Sequence, residues 1–133
     1  MMDRVIIDTS AWIDAFRSGS GIAFRGLVKD LILQGRVLLP GIIKAEILRG
    51  TKNKKEYGQM VDLLKGLAYL PVDETFWDGL ADFSFKLFRK GIVVPLTDTY
   101  ITLLCIENNV PLLHNDKHFE LISQKFPLKI FNL

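Results

Sequence analysis

Four carboxylates in this 133-residue chain occupy positions from which they could share one cation. Asp8 follows the short β-branched run 5–7, and Asp116 comes shortly after a second apolar run. Asp98 opens a predicted helix, and Glu46 lies inside another, on the face that also carries apolar side chains. A carboxylate on an apolar face is costly unless it has a partner. Carboxylate oxygens are the ligands of hard divalent cations, so the four acids predict such a site.

Each acid, taken alone, also has an ordinary structural explanation. Asp8 is a plausible cap for the first helix, and Asp98 is a plausible N-cap for a later one. Asn115–Asp116 is common turn chemistry. Glu46 is hardest to explain in this way, and a salt bridge to Arg49 at i+3 is its structural alternative. A single shared site explains all four positions at once.

The elements that would position these acids alternate along the chain. Short apolar runs predict strands at 5–7, 37–39, 68–70, 111–114 and 128–131. The apolar stretch 92–94 is predicted to be a loop or a short edge strand, because Pro95 ends it. Helical spacing of apolar residues separates the strands, and Asp73 is a predicted N-cap. This βα alternation predicts a parallel sheet covered by helices. The carboxyl ends of parallel strands share one edge, where functional crevices lie.

Composition limits the class of protein. The chain is 49% hydrophobic and 24% charged, which is typical of one folded domain. Its single cysteine excludes an intramolecular disulfide and a Cys-rich zinc site. The net charge of +2 gives no case for a nucleic-acid partner, which would have to come from local clustering. The N-terminus does not resemble a signal peptide, and no apolar run is long enough for a membrane span, so we expect a soluble cytoplasmic protein.

Other side chains with chemical potential receive structural interpretations. His114 is expected to make structural hydrogen bonds, His118 to lie on the surface, and Cys105 to be inert core. The helix after Asp73 carries two apolar stripes. One stripe is predicted to enter the core and the other to favour a subunit interface. The first stripe consists of Phe76, Leu80, Phe83 and Leu87, and the second of Trp77, Ala81, Ser84 and Phe88.

Four motifs in chain order resemble those of PIN-domain nucleases, and the length and the Glu-Ile-Leu-Arg-Gly string resemble the VapC toxins of toxin–antitoxin pairs. The resemblance covers nearly the whole chain. The motifs are Val5-Ile6-Ile7-Asp8-Thr9-Ser10-Ala11-Trp12-Ile13, Ala45-Glu46-Ile47-Leu48-Arg49-Gly50, Pro95-Leu96-Thr97-Asp98-Thr99-Tyr100-Ile101 and Leu112-Leu113-His114-Asn115-Asp116-Lys117-His118-Phe119.

The resemblance implies one PIN domain over residues 1–133, with a three-layer α/β/α sandwich around a central parallel sheet. It implies an endoribonuclease dependent on Mg²⁺ or Mn²⁺, a homodimer, and a cognate VapB-type antitoxin that blocks the site. The catalytic and metal-binding positions that match are Asp8, Glu46, Asp98 and Asp116, with Ser10 and Asn115 as supporting residues.

The expected chemistry is hydrolysis of RNA by metal-activated water. Whether one metal or two bind, and which carboxylate acts as base, stays open. A basic rim is a candidate for contact with the RNA backbone. It consists of Lys44, Arg49, Lys52, Lys54, Lys55 and Lys117. The alternative function is a non-catalytic PIN-fold module that binds RNA or protein.

Overall fold

A parallel sheet forms the centre of the computed structural model, which describes residues 3–16 and 22–131. The strand order is β3-β2-β1-β4, and all neighbouring strands are parallel. Helices cover the sheet in a three-layer α/β/α sandwich, as predicted. The strands are β1 (Val5–Ile7), β2 (Val37–Pro40), β3 (Ala68–Leu70) and β4 (Leu112–Leu113). The helices are α1 (Thr9–Phe16), α2 (Ile22–Leu33), α3 (Gly41–Arg49), α4 (Lys54–Lys65), α5 (Glu74–Arg89), α6 (Leu96–Asn108) and α7 (Lys117–Ser123).

The sheet is buried on both faces at its centre and exposed at one edge. All three residues of β1 are buried, as are both residues of β4. Strands covered by helices on both faces are expected to be continuous apolar runs, because neither face meets water. The edge strand β3 is only partly buried, and its central Tyr69 is 60% exposed. The register places Ile6 between Leu38 and Leu112.

The prediction of a last strand at 128–131 is wrong in extent. Only one parallel bridge forms there, between Ile130 and Leu112. Leu112 donates its N–H to the Lys129 carbonyl and accepts the N–H of Phe131. Immediately before this contact the backbone turns, with the Leu128 N–H bonded to the Phe126 carbonyl, so too few extended residues remain for a longer ladder. The predicted loop at 92–94 is confirmed.

Helix α5 confirms the core stripe and leaves the second stripe uncovered. Asp73 caps it, as predicted, by accepting the Phe76 N–H at 3.1 Å. The stripe that includes Phe76 is buried, whereas Trp77 is 53% and Phe88 61% exposed. Cys105 is buried in the core, as expected. Among the described helices, none combines the length and apolar character needed to cross a membrane.

The reversal from α2 into β2 depends on a left-handed residue. Gly35 has φ of +67°. Its N–H bonds to the Ile32 carbonyl, and the Arg36 N–H bonds to the Leu31 carbonyl. These two bonds satisfy the last carbonyls of α2, in the pattern of a Schellman cap. Because β2 begins at Val37, the cap fixes where the chain enters the sheet.

Replacing Gly35 by Ala is expected to destabilise the fold by about 1–2 kcal/mol, the cost of a left-handed conformation for an L-residue. A Cβ at this position would meet no atom within 4 Å, so backbone conformation alone is tested. Gly58, inside α4, has equally open surroundings and no positive φ. The matched Gly58→Ala change should therefore stabilise the protein by roughly 0.5–1 kcal/mol. Urea unfolding of the two variants measures both changes, and equal effects would contradict the explanation.

Candidate metal site

The four predicted acids are positioned by elements that meet at the carboxyl edge of the sheet. Asp8 directly follows β1, and Asp116 follows β4 after two intervening residues. Helix α3 starts immediately after β2 and carries Glu46. Asp98 lies in the first turn of α6, whose far end leads back to the start of β4. This arrangement places all four acidic positions on elements that begin or end at one edge.

Asp8 is a buried carboxylate at the end of the central strand. It is 6% exposed. Its Oδ2 accepts two hydrogen bonds from Ser10, one from the backbone N–H at 3.0 Å and one from Oγ at 2.6 Å. The Ser10 hydroxyl in turn accepts the backbone N–H of Asn115 at 2.9 Å. Asp8 therefore caps α1, and Ser10 connects it to the segment that follows β4.

Asp116 caps a second helix at the same edge. Its Oδ1 accepts the His118 N–H, the first-turn donor of α7, at 3.0 Å. Its own N–H donates to Nδ1 of His114 at 3.1 Å, and Nε2 of that ring lies 3.2 Å from Glu120. His114 is therefore the structural hydrogen-bonding residue that the sequence predicted. Asn115 contributes in two ways, because its side-chain amide also donates to Asp14.

The expectation that Asp98 is an N-cap is wrong. Pro95 occupies that position with extended φ and ψ, and the helix begins at Leu96. Asp98 is consequently the third residue of α6, where its carboxylate makes no cap bond. Its Oδ2 instead lies 2.9 Å from Nδ1 of His118. The Asp98 side chain is only 15% exposed.

His118 lies partly at the surface, and its ring also contacts two of the acids, which the sequence did not predict. Its side chain is 34% exposed, and Nδ1 lies 2.9 Å from Asp98 Oδ2 and 3.3 Å from Asp116 Oδ1. The ring reaches these acids because the Asp116 cap holds the first turn of α7 against the start of α6. Sequence spacing indicated that His118 follows Asp116 by two residues. It did not indicate that Asp98, twenty residues earlier, faces the same ring.

Glu46 is connected to Asp8 through Thr9, a residue of the first motif to which the sequence assigned no role of its own. The Thr9 hydroxyl donates to Glu46 Oε1 at 2.8 Å. Within the described part of the chain, no ion pair joins Glu46 to Arg49, so the salt-bridge explanation is not supported. The sequence feature that could have indicated a role for Thr9 is its position directly after Asp8. The threonine orients the Glu46 carboxylate from the neighbouring element α1.

Electrostatic repulsion is concentrated on Asp98. Burial raises its pKa, and the nearby carboxylates of Asp8 and Asp116 raise it further. The hydrogen bond from His118 opposes these effects, but the net direction is upward. The Asp8 charge also extends inward, because it adds to the effect of burial in raising the pKa of the Cys105 thiol.

The donor set fits a divalent cation. Asp98, Asp116 and His118 each offer one ligand atom, and these atoms lie within 4.8 Å of one another. Each of the four carboxylates uses only one oxygen in hydrogen bonds to described residues: Oδ2 of Asp8, Oε1 of Glu46, Oδ2 of Asp98 and Oδ1 of Asp116. The second oxygen of each is therefore available for a cation, which would also relieve the repulsion between them.

One member of the predicted basic rim shares a groove with an acid of the site. Lys52 and Glu46 both line a cavity of about 370 Å³ beside Trp12. The cavity is walled by the end of α3 and the start of α4. The other rim residues are exposed, and no contact places them at the site. They are Lys44, Arg49, Lys54, Lys55 and Lys117.

The chain is similar to known proteins over nearly all its length. The sequence matches the model of the PIN domain family over residues 5–125. It is 28% identical over 123 residues to the VapC ribonuclease Mb1587 of Mycobacterium bovis, which covers 90% of this chain and 92% of that protein. The structure of VapBC2 from Rickettsia felis, bound to a DNA fragment from its promoter, superposes with a TM-score of 0.76 and 17% sequence identity. The superposition covers 97% of this chain and 98% of that chain. VapBC-5 from Mycobacterium tuberculosis, a member of the VapBC family of toxin–antitoxin systems, superposes with a TM-score of 0.65 and 18% sequence identity. The superposition covers 99% of this chain and 100% of that chain.

Replacing Asp98 by Asn should stabilise the metal-free protein by about 1 kcal/mol at neutral pH, because it removes one charge from a repulsive cluster. Asp8 and Asp116 are less suitable, since both cap helices. The pKa of Asp98 is raised in the folded protein from its ordinary value of 3.8, so the folded state holds the proton more tightly. As the pH rises from 3.8 through the raised pKa of the folded protein, the Asp98 carboxyl loses its proton and destabilises the fold. The difference in unfolding free energy between Asp98→Asn and the parent should therefore grow over this pH range.

Urea unfolding in EDTA at several pH values between 3.5 and 7.5 measures this difference. Asp62→Asn, an exposed acid within α4, is the matched control and should show no comparable trend. A variant less stable than the parent at neutral pH would mean that the Asp98–His118 contact outweighs the repulsion.

Proposed function

The chain belongs to the PIN domain family, and we propose that it is a metal-dependent endoribonuclease, the toxin of a toxin–antitoxin pair. The observation that carries the proposal is the grouping of ligand atoms from Asp98, Asp116 and His118 within 4.8 Å of one another at the carboxyl edge of the sheet. Burial raises the pKa of Asp98, and the charges of Asp8 and Asp116 raise it further. A bound cation would offset the repulsion between these carboxylates. The relative named a VapC ribonuclease supports RNA as the substrate.

We propose that Asp8, Glu46, Asp98 and Asp116 hold the cation and position a water for attack on the RNA phosphodiester. A bound Mg²⁺ or Mn²⁺ would lower the pKa of that water and stabilise the leaving oxygen. Ser10 fixes the rotamer of the buried Asp8 carboxylate, and Thr9 does the same for Glu46. In each of these two carboxylates, the oxygen that does not accept the hydrogen bond is then available for the cation. Asn115 supports the site through its backbone N–H to Ser10.

The proposed partner is a cognate VapB-type antitoxin. The similar structure VapBC-5 is described as a member of a family of toxin–antitoxin systems, which supports this assignment. We also propose a homodimer, which the exposed aromatic side chains of Trp77 and Phe88 on α5 support, since large apolar groups in contact with water favour association. The single buried thiol of Cys105 accords with the reducing cytoplasm, where we propose that the protein acts.

The purified protein should cleave single-stranded RNA with Mg²⁺ or Mn²⁺ and lose that activity in EDTA. Asp8→Asn should lower the rate by about 100-fold or more while retaining the cap of α1, because Asn also caps well. Asp62→Asn, far along the chain in α4, serves as the matched control and should cleave like the parent. Cleavage is followed by gel electrophoresis of a labelled RNA.

Two outcomes would contradict this function. Full activity in EDTA, with Asp8→Asn equally active, would point to a contaminating nuclease or to a metal-free reaction. RNA binding without cleavage under any divalent ion would favour the non-catalytic module instead. Melting curves of Asp8→Asn alongside the parent show whether a loss of cleavage reflects chemistry or unfolding.

Lys52 is predicted to contact the RNA backbone, because it lines the groove that contains Glu46. Lys52→Ala, measured in the Asp8→Asn background, should weaken RNA binding and reduce the slope of log Kd against log salt by about 0.7, the value for one lost phosphate contact on single-stranded RNA. Lys65→Ala is the control, since Lys65 lies at the opposite end of α4. Equal effects of the two changes would indicate only a loss of net charge.

A further inference from the structure

We propose that His118 supplies a nitrogen ligand to the cation, alongside Asp98 and Asp116, and that this mixed ligand set makes the site bind Mn²⁺ more tightly than Mg²⁺. The inference rests on the proposed function, because it concerns the same metal site. It adds a ligand that the acidic motifs do not contain, and it names the ion that the site prefers.

Geometry places the ring nitrogen where a ligand would stand. His118 Nδ1 is 2.9 Å from Asp98 Oδ2 and 3.3 Å from Asp116 Oδ1. Adjacent ligands of an octahedral ion with bonds near 2.1 Å are separated by roughly 3 Å. The observed separations match that spacing. A cation bound here would also use Asp98 Oδ2 and Asp116 Oδ1, the two oxygens that face His118, besides the second oxygens of the carboxylates.

The position of the ring is fixed by the fold. His118 is in the first turn of α7, and its backbone N–H is held by the Asp116 carboxylate at 3.0 Å. The cap therefore ties the histidine to one of the acids with which it would share the cation. Binding a cation through Nδ1 requires the ring proton to stand on Nε2. The cation would therefore replace the hydrogen bond between His118 Nδ1 and Asp98 Oδ2.

His114 provides an internal contrast. Its Nδ1 accepts the Asp116 N–H, and its Nε2 lies against Glu120. Both ring nitrogens therefore have partners within the protein, and the side chain is almost fully buried. These are the chain's two histidines. Any imidazole nitrogen found on the metal must come from one of them, and the geometry assigns it to His118.

A nitrogen ligand changes the ion preference. Mg²⁺ strongly favours oxygen ligands and keeps several waters. Imidazole is a common ligand of transition-metal dications, which accept mixed nitrogen and oxygen sets. Carboxylate ligands alone suit both Mg²⁺ and Mn²⁺. The ligand set that includes His118 therefore predicts tighter binding of Mn²⁺ than of Mg²⁺.

Pulsed EPR of the Mn²⁺-loaded protein tests the ligand directly, because a coordinated imidazole gives a ¹⁴N coupling. The parent should show this coupling and His118→Gln should lose it. His114→Gln should retain it. Labelling the parent with ¹⁵N-histidine should replace the ¹⁴N signal, which gives a test that needs no variant to fold. No nitrogen coupling in the Mn²⁺-loaded parent, or a coupling that persists in His118→Gln, would overturn the proposal.

Calorimetric titration with Mn²⁺ and Mg²⁺ tests the ion preference. His118→Gln should bind Mn²⁺ about 10- to 100-fold more weakly than the parent, with a much smaller change for Mg²⁺. An equal loss for both ions would overturn the stated preference. RNA cleavage in the same preparations separates the two proposals. Metal-dependent cleavage without nitrogen coupling would reject the role of His118 alone, whereas cleavage unaffected by EDTA in a parent that binds no Mn²⁺ would reject the proposed function as well.

Discussion

The carboxylate of Asp8 is buried at the end of the innermost apolar strand, and the structure around it compensates for that burial. Removing a charged group from water is expensive unless hydrogen bonds replace the lost hydration. Ser10 provides two of these bonds, and its hydroxyl is oriented by the Asn115 N–H. This short network joins the end of β1, the start of α1 and the segment after β4. The charge that it stabilises is also felt by Asp98 and Cys105.

Helix capping and the candidate site use the same atoms. Asp8 caps α1 and Asp116 caps α7, so the structural explanation for each acid is correct without excluding the functional one. A cap bond occupies one carboxylate oxygen and fixes the side-chain rotamer, which leaves the second oxygen in a defined direction. Acids at helix N-termini are also stabilised by the helix dipole. The two helix N-termini therefore offset part of the free energy needed to hold the charges of Asp8 and Asp116 close to Asp98.

Sequence patterns predicted the features that depend on interactions between residues close together in the chain. Apolar runs identified the four strands, and the acid after β1 was correctly placed at a strand end because the alternation of strands and helices implies a parallel sheet. The errors arise where neighbours decide the outcome. Pro95 takes the N-cap position of α6 that was considered for Asp98, so Asp98 becomes a first-turn residue rather than a cap. The partners Thr9 and His118 are separated from Glu46 and Asp98 along the chain, and only the packing of α1 on α3 and of α6 beside α7 brings them together.

Charge balance gives the cation a further part in the proposed reaction. Two like charges 4 Å apart repel by about 4 kcal/mol at the effective dielectric constant typical of a protein surface. An exposed lysine recovers only about 0–1 kcal/mol through a salt bridge. Lys52 and the other residues of the basic rim therefore cannot by themselves bring an RNA phosphate against Asp8, Asp98 and Asp116. In the proposed reaction, a cation held by these carboxylates would offset their charge as the phosphate enters. Under the proposed function, Lys52 in the groove beside Glu46 would contact flanking nucleotides, while the acidic centre with its cation would receive the scissile phosphate.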